Sequence, residues 1–141
     1  MRVNKIRMAL AAISFFVCGS IMAEAKPKFV LQISDGAAET QTLVLNVVSN
    51  LIKNYGQDNV EVEVVAFGPG LRLLFKGNAN EEKITNYGIS GVTFSACNNT
   101  IEGMAKILGK PPVLTKTAKV VPGGVVRIYD LVKQGATLIK P

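Results

Sequence analysis

One thiol stands where its neighbours could make it reactive. Cys97 ends the apolar run Gly91-Val-Thr-Phe-Ser-Ala96 and is followed by Asn98-Asn99-Thr100, which leads into a helical pattern. A thiol at a helix N-terminus feels the positive end of the helix dipole, and that favours thiolate over thiol. A thiolate so placed suits attack on sulfur or the carrying of a sulfur atom. Backbone amides of Asn98, Asn99 and Thr100 would stabilise an anionic group bound there. The other reading of the same residue is a small hydrophobe filling space at a strand end. Asn99 is expected to cap the helix, with Glu102 three positions on as its capping-box partner. Glu102, the nearest acid, works against a strongly lowered thiol pKa.

Two further loops carry residues that could bind a ligand. Ser34-Asp35-Gly36-Ala37-Ala38 runs from a strand into a helix, where amides could cradle an anion, with Asp35 and Gly36 at its centre. It lacks Gly-Lys-Ser/Thr, so it is no Walker loop, and Gly36 stands alone, so it is no dinucleotide fingerprint. A tight turn with Ser34 or Asp35 near the helix start is the simpler reading. Gly68-Pro69-Gly70-Leu71-Arg72 stops another strand. Gly70 and Arg72 are its candidate binding residues, and Arg72 would add positive charge if this loop adjoins Cys97.

Much chemistry is excluded by composition. The chain has no His and no Trp, and only 2 Cys. A Ser-His-Asp triad, a Cys-His pair and a tetrahedral Cys/His zinc site are therefore impossible within it. No metal and no cofactor is expected. Only Phe and Tyr could stack on a flavin ring, and no Ser/Thr-rich phosphate loop is present.

The elements that must position these loops follow from hydrophobic pattern. With 141 residues, 48% hydrophobic and 18% charged, the chain suits one globular domain. Short apolar or β-branched runs at Lys28–Ser34, Val60–Phe67, Gly91–Ala96, Ala118–Val121 and Ala136–Lys140 read as about five strands, mostly buried on both faces. Helical spacing recurs at Glu39–Asn54, Leu71–Lys76, Glu81–Tyr87, from Ile101 to Leu108, and from Val125 to Val132. Along the first of these, Leu43, Val44, Val47, Val48, Leu51 and Ile52 share a face. This alternation predicts a single α/β domain, a mostly parallel sheet with helices on both faces and flavodoxin-like layering. In such sheets ligands sit beyond the carboxyl ends of the strands, so the three loops are expected to meet there.

The N-terminus has a different character. Arg2, Lys5 and Arg7 precede the apolar stretch Met8–Ala23, and Ala23-Glu24-Ala25 offers small residues for cleavage. Residues 1–25 thus read as a secretory signal peptide, with 26–141 as the exported domain. The stretch is shorter than the ~20 residues that span a bilayer, so no stable membrane insertion is expected after cleavage. Losing Arg2, Lys5, Arg7 and Glu24 takes the net charge from +6 to +4. That modest, scattered charge does not suggest a nucleic-acid partner. Cleavage removes Cys18, which leaves Cys97 unable to form an intramolecular disulfide.

The segments Val62–Leu74 (VEVVAFGPGLRLL), Gly91–Met104 (GVTFSACNNTIEGM) and Ala118–Pro141, with KFVLQISDG at the start, resemble the DsrE/DsrF-like family of sulfur-relay proteins, in its exported branch. The resemblance covers nearly all of the chain after the leader. It implies a compact α/β sandwich that assembles into trimers or hexamers, a homo-oligomer. It also implies that Cys97 can hold sulfur as a persulfide, with small sulfur anions or sulfur donor and acceptor proteins as partners. Family members often have Gly after this cysteine and an aromatic after the last glycine, where this chain has Asn98 and Ala136. Together with the leader, these features give the expectation of a periplasmic protein of a Gram-negative bacterium, either a sulfur carrier or sulfurtransferase using Cys97, or a non-catalytic oligomeric binding module.

Overall fold

A computed structural model describes residues 24–141. The expected leader lies outside the described residues save for Glu24 and Ala25, and so does Cys18. Among the described residues there are five strands: β1 (Lys28–Ile33), β2 (Glu61–Ala66), β3 (Thr93–Cys97), β4 (Ala118–Val121) and β5 (Thr137–Ile139). They form one sheet in the order β4-β3-β2-β1-β5, and every neighbouring pair is parallel. The helices are α1 (Ala38–Tyr55), α2 (Glu81–Ile89), α3 (Asn98–Leu108) and α4 (Gly124–Lys133), with a 3-10 segment, Gly68–Leu74, after β2.

The strand order decides which face each helix covers. From β1 to β4 the chain steps one strand at a time in one direction, and right-handed crossovers keep those helices on one side. The return from β4 to β5 runs the opposite way and puts α4 on the other side. Side chains sort accordingly. Leu31 and Ile33 of β1, Val62, Val64 and Ala66 of β2, and Phe94 and Ala96 of β3 pack with α1, α2, α3 and the 3-10 segment. Val30 and Val65, their alternates, pack under Ile128 and Leu131 of α4. Each fully buried Val, Leu or Phe contributes roughly 1.5–3 kcal/mol against solvent exposure, so the first face carries most of the stability.

The α/β layering and the helices on both faces agree with the sequence reading, with four departures. The expected double-sided burial holds for the central strands only. Edge strand β4 and edge strand β5 have no fully buried residue, because α4 alone serves their second face. In α1 the buried set is Gln41, Val44, Leu45 and Val48, while Leu43 is half exposed. The other five residues of the expected face, Val44, Val47, Val48, Leu51 and Ile52, pack on the core, and Gln41 joins them by reaching inward, donating to the Gly36 carbonyl at 3.1 Å and accepting from Asn78 at 3.0 Å. The segment expected as a helix from Leu71 to Lys76 is the 3-10 turn Gly68–Leu74, which starts three residues earlier. In α4 only Ile128 and the small Gly124 are buried, and the expected apolar side chains Val125, Val126 and Tyr129 are 65%, 63% and 61% exposed.

Candidate functional site at the carboxyl edge of the sheet

The loops expected at the carboxyl edge do meet. Gly36 lies against Pro69 and the Cδ of Arg72. Gly70 is pressed on the end of β1, where any Cβ would run into the Ile33 carbonyl. The Gly68 amide donates to the Thr100 hydroxyl oxygen at 2.9 Å and ties the 3-10 segment to α3. A fourth loop joins them, Pro122-Gly123-Gly124 between β4 and α4. A Cβ on Gly124 would stand 3.1 Å from Phe67 and 3.3 Å from the Cβ of Cys97. Only a glycine brings the α4 N-terminus this close to the thiol.

Cys97 is a free thiol and 5% exposed. It is the last residue of β3 and the N-cap of α3, in extended conformation. Its sulfur therefore takes the place of a Ser or Thr capping oxygen, facing the amides of the second and third helical residues, Asn99 and Thr100. No full capping hydrogen bond forms; the surrounding donors act instead on the charge of the sulfur. Burial pushes the thiol up. The Thr100 hydroxyl and the backbone N–H groups of Gly124, Thr100 and Asn99 more than offset that, and the thiol is held below its ordinary value. Because Thr100 Oγ1 accepts from Gly68, its own proton is left to donate toward the sulfur. Two helix N-termini, of α3 and α4, thus converge on one sulfur.

The other expected site residues divide. Thr100 and Asn99 face Cys97. Asn98 belongs to the first turn of α3, but its side chain donates to Glu102 Oε1 at 2.8 Å and does not reach the thiol. The expected cap at Asn99 is corrected: the cap is Cys97, two residues earlier, and the helix starts at Asn98. Asp35 is committed locally, accepting from the Ala37 amide at 2.9 Å and the Thr40 hydroxyl at 3.3 Å, so the first loop is the tight turn. Gly36 and Gly70 act as close-packing points that hold the loops together. Arg72 is exposed, and the lowering of the Cys97 pKa owes nothing to its charge.

Two features escaped the sequence reading. One is Gly124, although the rule that loops gather at the carboxyl edge applies equally to the turn after β4. The other is a polar cluster under α4. Glu63, 8% exposed, accepts from Ser95 Oγ at 2.6 Å and receives a forked pair from Arg127, Nε at 2.8 Å and Nη2 at 2.7 Å. An acid among the β-branched residues of β2 was its only sequence signal. Among the described residues, no three His, Cys, Asp or Glu side chains come together as a metal site.

No family model and no curated protein matches the chain. Among solved structures it is similar to MTH1491 from Methanobacterium thermoautotrophicum, a protein of unknown function, at 26% identity and a TM-score of 0.75. The match covers 82% of this chain and 100% of that one. The likeness supports the parallel α/β architecture described above.

Proposed function

We propose that the protein is a periplasmic sulfur carrier or sulfurtransferase that holds sulfane sulfur on Cys97. The observation that carries the reading is the convergence of Thr100, Asn99 and Gly124 donors on the Cys97 thiol, which favours the thiolate without any histidine. With thiosulfate as donor, the Cys97 thiolate attacks the outer sulfur. A new S–S bond forms, the bond to the sulfonate sulfur breaks, and sulfite leaves with the electron pair. The product is a Cys97 persulfide anion, stabilised by the same donors. An acceptor thiolate then attacks the outer sulfur of the protonated persulfide, taking it as its own persulfide and returning the Cys97 thiolate. At 5% exposure the thiol suits small sulfur anions or a persulfide side chain that can enter narrowly.

The proposal includes self-association. Val125, Val126, Tyr129 and Val132 of α4 and Leu138 of β5 are exposed on the same side of the sheet. A second copy of the chain is the occupant proposed for that face, in line with the trimers or hexamers of the family the sequence resembles.

The test is cyanolysis. Protein treated with polysulfide and desalted should release one equivalent of thiocyanate per chain on adding cyanide, and Cys97→Ser should release none. The second reading, a non-catalytic assembly module, draws on the near-complete burial of Cys97 and the exposed α4 face. It is favoured if folded wild type releases no thiocyanate.

A further inference from the structure

The Glu63 cluster takes no part in sulfur transfer as written above, yet it lies on the same face of the sheet as the thiol, further back along the strands. Ser95 and Cys97 are two apart on β3 and so point to the same face of the sheet, the face that α4 covers. On α4, Gly124 and Arg127 are one turn apart. The helix therefore meets the sheet at two levels. Arg127 forks onto Glu63 at the level of Ser95, and Gly124 rests on Cys97 and Phe67 at the carboxyl edge.

Those two contacts differ in kind. Glycine has no side chain with which to hold its place, and the N-cap residue Gly123 makes no side-chain capping bond. The apolar anchors of α4 are Ile128 and the partly buried Leu131, both further along the helix, while Val125 and Val126 face outward. The directional restraint on the first turn is the forked, charge-assisted pair of Arg127 with Glu63, whose geometry fixes distance and angle together. Ser95 adds a third bond, donating to Glu63 Oε1, the same oxygen that takes Arg127 Nε.

We propose that the Glu63–Arg127 ion pair is a positioning device that holds the first turn of α4 over β3, so that the Gly124 amide stays aimed at the Cys97 sulfur. Glu63 and Arg127 are then positioning residues, and the proposal rests on Cys97 being the reactive group. A purely structural role predicts lower stability and an unchanged thiol. The positioning role predicts a changed thiol in a folded protein.

The experiment is a pH titration of thiolate in the purified protein, followed by the rate of iodoacetamide alkylation. Removing one partner leaves a buried charge and can prevent folding, so the deciding variant is the double substitution Glu63→Gln with Arg127→Met, which removes both charges. Loss of one charge-assisted hydrogen bond is worth about one pKa unit, so the Cys97 titration should move up by about that much and alkylation at neutral pH should slow several-fold. Arg127→Lys, which keeps the charge and loses the fork, should fall between. Val48→Ala, a cavity on the opposite face of the sheet, should leave the titration where it is. A folded double variant that titrates like wild type overturns the proposal, as does a Val48→Ala shift of the same size. Sulfur loading of the wild type is read separately by cyanolysis, so failure of the sulfur-carrier reading and failure of the positioning role are distinguishable.

Discussion

At the scale of single residues, Thr100 does two jobs with one oxygen. It accepts the Gly68 amide and is left with a proton for the Cys97 sulfur. Thr100→Val keeps the volume and removes both. The variant should lose about 1 kcal/mol of stability, read as a lower urea midpoint, and its thiol should titrate higher than that of the wild type. Thr100→Ser should restore the titration. An unchanged thiol in folded Thr100→Val would mean that the backbone amides alone set its ionisation. Cys97 could be picked out from the sequence because its place between a strand and a helix was readable. The inward turn of Gln41, the local commitment of Asp35 and the Glu63 cluster were not. Each depends on which side chain wins a particular hydrogen bond, and spacing carries no information about that.

Among the elements, the 3-10 segment and α4 matter most, since each brings a glycine into close contact, Gly70 with the backbone of β1 and Gly124 with the side chains of Phe67 and Cys97. Gly70 is buried against the end of β1, and a methyl group there meets the Ile33 carbonyl and the Ser34 amide. Gly70→Ala should destabilise by roughly 1–3 kcal/mol, visible as a lower Tm, because the obstacle is main chain and cannot rotate away. A Tm equal to wild type would show that the segment can shift without cost. Strands and helices were legible because β-branched runs and 3.6-residue periodicity are local signals; β4 is found at the expected Ala118–Val121. Helix orientation was less so. Val125, Val126 and Tyr129 are as apolar as a core stripe, and only the strand order reveals that α4 has a sheet on one side and open surface on the other.

For the whole molecule, the uneven distribution of helices is the main consequence of topology. Among the described residues, three helices and the 3-10 segment bury one face of the sheet, and a single ten-residue helix serves the other. The exposed apolar side chains of α4 and β5 lie on that thinly covered face, where self-association is proposed. Val126→Asp would place a charge in the middle of the face without touching the buried Ile128. It should turn a wild-type trimer or hexamer into monomers by light scattering, with unchanged circular dichroism. A monomeric wild type would contradict the assembly part of the proposal and leave the Cys97 chemistry untouched.

The most direct test of the central claim is the intact mass of the purified protein before and after thiosulfate or polysulfide, and again after cyanide, with Cys97→Ser alongside. The account predicts a species one sulfur atom heavier, reversed by cyanide and absent from the variant. A folded wild type that gains no sulfur, or a variant that gains as much as the wild type, would contradict it.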